Sequence, residues 1–341
     1  MNNFSSQFKI EDRKVGCNSP VYIIAEAGIS HFGDEDKAYK LVDMAVSAGA
    51  DAVKFQVFDI DEMIVKSQSD WRGRLGSRQL PYDAFVRIQK YCAERGITFF
   101  STAHDDKSLD FLHDIDIPVY KIGSGELGND QYFRKIAQYD KPIIFSTGMY
   151  HFKEIESVLN IFSNEGKCDI AALHCVTSYP TKPKDASLFN INKIREKYNV
   201  ITGYSDHTEG YHLPLAAVAL GAKIIEKHIT LDFNIPNAQD WKVSCGPQNL
   251  SLFVQQVRDI EDALTLRDSG PTTEEQKSKL WATKSLALVK PMLKGDVIER
   301  NLLVAKRPGV GITPVDIDKI IGKRINANLE KDSILLWEHI Q

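Results

Sequence analysis

Eight short apolar segments alternate with amphipathic segments over the first 265 residues of the chain. The apolar segments begin at Val21, Asp51, Ile97, Val119, Lys141, Asp169, Asn199 and Ala222. Apolar runs of this length predict strands, and the segments between them, several of which end in glycine, predict helices. Eight such units in succession predict an α/β protein with a closed parallel (β/α)8 (TIM) barrel. The alternative is an open doubly wound sheet, but no G-x-G-x-x-G sequence follows the first strand to support it.

The length of the chain predicts two domains, because 341 residues exceed most single domains. Residues 1–265 are predicted to form the barrel domain, with an N-terminal extension over residues 1–20. Residues 266–282 are polar, contain Gly and Pro, and predict a linker. Short β-type segments with closely spaced glycines predict a separate small domain over residues 283–341.

Composition argues against several classes of protein. The net charge is -4 and no block of Lys or Arg occurs, so nucleic-acid binding is not expected. The five cysteines include no C-x-x-C pair, which argues against a disulfide framework and for a reducing compartment. The first 20 residues lack an apolar signal segment, and no apolar run reaches the roughly 18 residues that span a membrane. We therefore predict a cytoplasmic protein without a membrane partner.

Side-chain alternation along the strands predicts which residues face the barrel interior. In the second strand, Lys54 and Gln56 take the side opposite to Val53 and Phe55. Because helices cover the outside of a barrel, the apolar side should face outward and the polar side inward. The same argument places these residues inward near the carboxyl ends of the other strands: Glu26, Thr102, Lys121, Ser146, His174, Ser205, His207, Glu226 and His228. Buried charges without partners are costly, so this concentration predicts a functional site.

Two of these residues, His207 and His228, end strands that an Ala- and Leu-rich segment connects. Parallel neighbours in a sheet lie about 4.8 Å apart, so the two imidazoles should face one space. There they can share one divalent metal ion while leaving coordination positions open for water or substrate. Taken alone, each histidine is also compatible with an ordinary polar residue at a strand end.

Two lysines and a short Gly-rich sequence predict an anion-binding site at the same end of the barrel. Lys54 and Lys121 are cationic, and the G-S-G-E sequence of residues 123–126 follows Lys121 closely. Glycines let the backbone approach a ligand, and the hydroxyls of Ser124, Thr102 and Ser146 can donate to phosphate oxygens. Two carboxylates nearby, Glu126 and Glu226, are predicted either to transfer protons or to orient a lysine or the metal.

Motifs on nearly every strand resemble those of the sialic acid synthase family, which includes N-acetylneuraminate synthases and their legionaminate and pseudaminate relatives. They are AEAGISHFGDEDKAYKL, GADAVKFQ, FFSTAHD, KIGSGE, FSTGM, LHCVTSYPTKP, GYSDHTEG, GAKIIEKHITLD and KRPGVGI. The resemblance implies a (β/α)8 barrel followed by an antifreeze-like (SAF, β-clip) domain. It also implies an enzyme that condenses phosphoenolpyruvate with an N-acylated sugar aldehyde, using Mn2+ or Mg2+, to give a nine-carbon 2-keto acid and phosphate.

The resemblance further implies roles for individual residues. The metal ligands would be His207 and His228, with Glu226 in support. The contacts to phosphoenolpyruvate would be Lys54, Thr102, Lys121, Ser124, Ser146 and Ser205. The contacts to the sugar would be Gln56, Glu126, Tyr179, Asp240 and Arg307. The catalytic residues would be Glu126, Lys54, Lys121 and Glu26, with Glu126 as the proton-transferring group at the aldehyde. The family also implies a domain-swapped homodimer, in which Arg307 reaches the sugar bound to the partner's barrel.

The chain departs from the family pattern at the substrate face. Trp241 follows Asp240 where a histidine is common, Ala103 and His104 replace a common Pro-Phe pair, and Thr177 replaces an asparagine. Ser30 and Phe32 likewise stand where asparagines are usual. The acceptor therefore stays open between N-acetylmannosamine, a 2,4-diacetamido-6-deoxy hexose and a less usual sugar. Two further hypotheses are a barrel aldolase that forms a Schiff base through Lys54 or Lys121 and a non-catalytic sugar-binding barrel.

Overall fold

The computed structural model describes residues 4–236, 238–267 and 270–341. The chain divides into two compact units, residues 1–265 and 266–341. Within the predicted N-terminal extension, residues 1–3 lie outside the described part, and an antiparallel hairpin follows, with strands β1 (Gln7–Ile10) and β2 (Arg13–Gly16). None of the described helices is long and apolar enough to cross a membrane.

A closed barrel of eight parallel strands forms the first unit, which confirms the predicted fold. Its strands are β3 (Tyr22–Gly28), β4 (Ala52–Val57), β5 (Thr98–Ala103), β6 (Tyr120–Ile122), β7 (Ile143–Ser146), β8 (Ile170–Cys175), β9 (Ile201–Asp206) and β10 (Ile224–His228). Each strand pairs with the next, and β10 pairs with β3 to close the barrel. The carboxyl ends of all eight strands therefore meet at one rim.

Helices that each bury apolar residues cover the outer side of the barrel, and two further short helices bury no residue. In chain order the helices are α1 (Glu35–Ala48), α2 (Ile60–Met63), α3 (Ser69–Gly76), α4 (Tyr82–Arg95), α5 (Asp106–Asp114), α6 (Asp130–Ala137), α7 (Phe152–Asn164), α8 (Asn190–Tyr198), α9 (His212–Ala219) and α10 (Leu250–Ala263). The two short ones are α2 and α3, which precede α4. Helix α1 ends at Gly49, whose φ of 77° is left-handed backbone that glycine adopts without strain. Val53, Phe55 and Val57 are fully buried in the layer between strands and helices, as the alternation predicts.

His174 was predicted to face inward, and this prediction is wrong. Its Nε2 lies 2.6 Å from the carbonyl oxygen of Ala186, and its ring stacks on Tyr204 in the outer layer. The next residue, Cys175, lines the interior instead. The prediction assumed that the more polar of two neighbouring residues faces inward. His174 faces outward because its imidazole hydrogen bonds to a backbone carbonyl of the outer layer.

An ion pair also occupies the outer layer, on the side of β10 opposite to Glu226 and His228. Lys227 donates to the carboxylate of Asp206 and, at 2.8 Å, to the carbonyl oxygen of Thr208. Both charged side chains are essentially inaccessible to solvent. Thr208 also donates to the carboxylate of Asp206, so both charged groups have hydrogen-bonding partners beyond the ion pair.

We predict that Gly203→Ala destabilises the barrel by about 2 kcal/mol or more. A Cβ atom on Gly203 would lie 2.3 Å from the carbonyl oxygen of Ile224 and 2.6 Å from a methyl group of Leu173. Since the nearer of these atoms belongs to a neighbouring strand's backbone, the contact cannot be relieved by rotating one side chain. Urea unfolding followed by circular dichroism measures the effect.

The matched control is Gly73→Ala in the interior of α3. A Cβ atom there meets nothing within 4 Å, so stability should stay unchanged or rise by up to about 1 kcal/mol. Equal unfolding midpoints for the two variants would contradict the predicted crowding at Gly203.

The second unit, residues 266–341, has a small apolar core of its own. It contains α11 (Thr273–Ala282), an antiparallel pair of β11 (Ser285–Leu288) and β12 (Leu303–Lys306), and α12 (Ile317–Ile320). The core residues are Leu286, Leu288, Met292, Ile298, Ile312, Ile320, Ile325 and Leu335.

The predicted linker, residues 266–282, includes positions 268 and 269, which lie outside the described part. The linker prediction also missed α11. The sequence signal for this helix is Thr272 followed three residues later by Glu275, because each side chain accepts a hydrogen bond from the backbone N–H of the other.

Candidate active site at the carboxyl ends of the barrel strands

A cavity of about 280 Å3 opens at the rim where the carboxyl ends of the strands meet. It brings together most of the residues predicted from the sequence: Glu26, Lys54, Gln56, Thr102, Lys121, Ser124, Ser146, Tyr179, Ser205, His207, Glu226, His228 and Asp240. All eight strands or the loops that follow them contribute to its wall. The inward placement of these side chains follows from the alternation of the strands.

Glu126 does not line this cavity. It ends a short turn of residues 124–126, and its carboxylate accepts a 2.8 Å hydrogen bond from Asn129. Burial raises its pKa, with smaller contributions from Asp106 and Asp105. The sequence placed Glu126 next to the anion site by proximity in the chain, but the turn directs Ser124, and not Glu126, to the cavity.

Two lysines and two carboxylates form a network at the bottom of the cavity. Lys54 Nζ lies 2.9 Å from Glu26 Oε2 and 3.6 Å from Glu226 Oε2. Lys121 Nζ lies 3.6 Å from Glu226 Oε1 and donates to Ser146 Oγ at 2.8 Å. All four charged side chains are buried, so the cations and carboxylates depend on one another for stability.

The two carboxylates of the network have different pKa values. Burial raises the pKa of Glu26 to about 6, although Lys54 opposes the shift. Burial also acts on Glu226, but Lys121 and Lys54 outweigh it and lower its pKa to about 2. Carboxyl groups whose environments push their pKa values apart are suited to different tasks, one fixed in charge and one able to exchange a proton. In this cavity Glu26 is the group poised to exchange a proton.

A hydroxyl cradle lies beside the lysines. Lys54 donates to Thr102 Oγ1 at 3.1 Å, and the backbone N–H of Gly148 donates to Ser124 Oγ at 2.9 Å. Ser124 also forms a side-chain hydrogen bond with Cys175, which lines the same cavity. A Cβ atom at Gly148 would lie 2.3 Å from Thr177 Oγ1, so glycine is needed for this close approach. The cradle and the lysines together can hold an anion.

His207 and His228 face the same space, with ring centroids 5.4 Å apart. His207 Nδ1 donates to the carbonyl oxygen of Val176 at 2.8 Å, and its Nε2 bonds to the hydroxyl of Tyr179 at 2.9 Å. His228 Nδ1 is buried without a hydrogen-bonding partner. Burial holds the pKa of His228 well below its usual value, so this imidazole is neutral.

These two imidazoles fit a divalent metal site with few protein ligands. A carbonyl that fixes one nitrogen of a histidine is the usual support of a metal ligand, and the unpartnered nitrogen of His228 indicates unused bonding capacity. Within the described residues, no group of three or more His, Cys, Asp and Glu side chains is arranged to hold a metal. The remaining ligands would therefore be substrate or water.

Sequence reasoning missed three polar side chains of the cavity. Cys175 lines it, and its Sγ lies 3.7 Å from His207 Nδ1. His104 and Thr177 also line it, although the sequence marked them only as departures from a family pattern. The signal that could have found His104 is its parity, since it stands two residues after the inward-facing Thr102.

Arg307 belongs to the second unit, where it follows β12 and is exposed. It forms no ion pair with any acidic side chain of the described residues. Its predicted role at the sugar depends on a second chain.

Comparisons with known proteins identify the family of the chain. The model of the NeuB family matches residues 41–268, and the model of the SAF domain matches residues 283–341. An N,N'-diacetyllegionaminic acid synthase of Campylobacter jejuni is 36% identical over 92% of this chain and 98% of its own. One of Legionella pneumophila is 34% identical over 96% of each. The crystal structure of an N-acetylneuraminic acid synthetase from Leptospira borgpetersenii is 33% identical, covers 82% of this chain and 96% of its own, and superposes with a TM-score of 0.75.

Proposed function

Because the chain belongs to the NeuB family, we propose that it condenses phosphoenolpyruvate with an N-acylated amino-sugar aldehyde to form a nonulosonic acid and phosphate. The observation that carries this proposal is the single cavity in which Lys54 and Lys121 stand beside His207 and His228. The lysines suit the anionic substrate, and the imidazoles suit a metal ion that the aldehyde can reach.

The lower part of the cavity is the proposed phosphoenolpyruvate site. Lys54 and Lys121 offset the phosphate and carboxylate charges, and the hydroxyls of Thr102, Ser124 and Ser146 would donate hydrogen bonds to the substrate. Ser205, the fourth expected contact, donates its hydroxyl to Glu226 Oε1 at 2.9 Å and supports that carboxylate. Since Glu226 is held ionised by the two lysines, it fixes their positions before the substrate arrives.

In the reaction, the methylene carbon of phosphoenolpyruvate forms a bond with the aldehyde carbon. The aldehyde oxygen gains a proton, and water adds to the former enol carbon with loss of one proton. The bond from that carbon to the phosphate oxygen then breaks, the added hydroxyl becomes the keto group, and its proton passes to the departing phosphate. Mn2+ or Mg2+ held by His207 and His228 would supply Lewis-acid polarisation of the aldehyde. Glu26, whose pKa is about 6, is the proposed group that takes up the proton of the water and returns it to the new hydroxyl.

We predict that Glu26→Gln lowers kcat about a hundredfold, because the amide keeps the shape of the side chain but cannot exchange a proton. Glu126→Gln is the control, and its kcat should stay within about threefold of the wild type since Glu126 does not line the cavity. Steady-state rates of phosphate release measure both. A large loss in the Glu126 variant with little change in the Glu26 variant would return the proton-transferring role to Glu126.

The proposed activity is tested with a panel of aldoses, phosphoenolpyruvate and Mn2+, following phosphate release. The panel includes N-acetylmannosamine, a 2,4-diacetamido-6-deoxy hexose and sugars without an acylamino group. We expect phosphate only with acylamino sugars, and mass spectrometry should show a product of nine carbons in the sugar chain. Release with none of the acylamino sugars would contradict the proposal.

We also propose that the enzyme is cytoplasmic and acts as a domain-swapped homodimer. All five cysteines of the chain are free thiols, which suits a reducing compartment. The exposed Arg307, without an acidic partner among the described residues, is suited to contact a sugar held by another chain. Light scattering of the purified protein measures the oligomeric state.

We predict that Arg307→Ala raises the acceptor KM about tenfold and leaves the phosphoenolpyruvate KM nearly unchanged. Lys306→Ala, which removes a neighbouring cation paired with Asp332, is the control and should change neither constant by more than about twofold. Equal increases in both KM values would argue against a contact on the acceptor side.

Mixing two variant chains tests the domain swap. If domains are swapped, a mixed dimer of the inactive His228→Ala chain and the Arg307→Ala chain contains one complete site. Failure of the mixture to regain the wild-type acceptor KM would contradict swapping.

A further inference from the structure

His104 stands immediately after β5 and lines the cavity without an assigned role. Its backbone N–H donates to the carbonyl oxygen of Val57 at 3.1 Å, so the pairing between β4 and β5 continues through this residue. Two residues along a strand advance the chain by about 6.6 Å and return the side chain to the same face. His104 therefore projects on the same side as Thr102, one step nearer to the mouth of the cavity.

The cavity wall has two levels along its strands. The lower level holds Lys54 and Thr102, which bond to each other, together with Lys121. Across the sheet Gln56 pairs with Thr102, and Thr102 pairs with Lys121, so Gln56 also belongs to the lower level. His104 and Gly123 come two residues after Thr102 and Lys121 on their strands and form the upper level. Because the cations lie at the lower level, the anionic substrate belongs there and its reaction partner lies above it. His104 is thus placed beside the partner, which is the acceptor sugar.

The imidazole of His104 has bonding capacity that no described residue uses. Neither of its ring nitrogens has a hydrogen-bonding partner within residues 4–236, 238–267 and 270–341. A Cβ atom added at Gly123 would lie 3.9 Å from its Cε1 atom, so the ring stands beside the end of β6. Burial lowers its pKa to about 4, and Lys54 and Lys121 add to the shift, so the ring is neutral. A neutral imidazole offers one donor and one acceptor.

We propose that His104 is a specificity-determining residue, which hydrogen bonds a hydroxyl or acylamino substituent of the acceptor sugar. This inference rests on the proposed function and adds a requirement to it, because the acceptor must carry such a group where it faces β5. A side chain that lines a cavity and is positioned to bond a polar substituent discriminates against analogues that lack it. A single neutral hydrogen bond of about 1.4 kcal/mol corresponds to roughly a tenfold change in acceptor affinity.

The test compares His104→Phe, which keeps an aromatic ring but no hydrogen bond, with His104→Gln, which keeps a donor and an acceptor. Steady-state constants are measured for phosphoenolpyruvate and for the two acylamino sugars of the panel. For the Phe variant we expect the KM of the preferred acceptor to rise about tenfold, the KM of phosphoenolpyruvate to change less than about twofold, and the preference between the two sugars to shrink. The Gln variant should recover most of the acceptor KM.

Two results would overturn the inference while leaving the proposed function in place. One is an unchanged acceptor KM and sugar preference in the Phe variant, and the other is a rise confined to the phosphoenolpyruvate KM. Equal losses in the Phe and Gln variants would show that His104 acts only through packing, which also overturns it. Absence of phosphate release by the wild type with every acylamino sugar would overturn the proposed function and this inference together.

Discussion

Lys54→Met should lower kcat/KM by about a thousandfold and destabilise the barrel by about 3–5 kcal/mol. Lys54 is the cation between Glu26 and Glu226, and its replacement leaves two buried carboxylates with only Lys121 nearby. One carboxylate must then take up a proton, so the variant should lose most stability at neutral and alkaline pH. The affinity for phosphoenolpyruvate falls as well, because half of the cationic charge facing it has been removed.

A second buried ion pair provides the matched control for this experiment. Lys227→Met leaves Asp206 uncompensated in the outer layer and should destabilise the barrel by a similar amount. Lys227 does not line the cavity, so the folded fraction of this variant should bind phosphoenolpyruvate as the wild type does. Urea unfolding gives the two stabilities, and calorimetric titration gives the two affinities. Wild-type affinity in the Lys54 variant would remove this lysine from the anion site.

The Lys54 variant also bears on the Schiff-base hypothesis. In the proposed mechanism neither lysine becomes covalently attached to substrate, so borohydride treatment in the presence of phosphoenolpyruvate and sugar should leave the enzyme mass unchanged. Lys54 is unsuited to that chemistry, because Glu226 and Glu26 outweigh burial and hold its pKa above the usual value. A stable adduct on Lys121, whose pKa burial lowers, would instead favour the aldolase.

The fold and the lower level of the site were predictable because strand alternation governs both. A parallel strand buried under helices must turn its apolar side outward, and this placed Lys54, Glu26 and Glu226 correctly. The rule failed for β8, where a backbone carbonyl of the outer layer satisfies His174 while the less polar Cys175 faces the cavity. Alternation predicts that every second side chain of a strand faces the same way. Polarity alone identifies the set that faces inward only where the outer layer offers no hydrogen-bonding partner to the polar residue.

Beyond the strand ends, strand alternation does not predict which loop residues reach the cavity. Glu126 and Ser124 stand two residues apart, yet the direction of one turn admits Ser124 and excludes Glu126. Both residues are polar, so polarity does not indicate which of them lines the cavity. Similarly, the pKa difference between Glu26 and Glu226 depends on distances to Lys54 and Lys121 across four strands, which only the closed barrel fixes.

His228→Ala should abolish turnover, with kcat at least about a thousandfold below the wild type, while the protein stays folded. The variant removes one of the two imidazoles proposed to hold the metal, and no third His, Cys, Asp or Glu ligand replaces it within the described part of the chain. Folding should survive, because His228 Nδ1 has no partner to lose and the deleted ring leaves space that opens into an existing cavity.

The readouts are metal affinity by calorimetric titration with Mn2+, turnover with and without excess EDTA, and unfolding followed by circular dichroism. His174→Gln is the matched control, because it alters a buried histidine of the same barrel that faces the outer layer. It should cost stability but bind Mn2+ and turn over as the wild type does. EDTA should inactivate the wild type, and Mn2+ should restore it. Full activity of His228→Ala in excess EDTA would eliminate the metal from the mechanism, since neither the second imidazole nor the ion would then be needed for condensation.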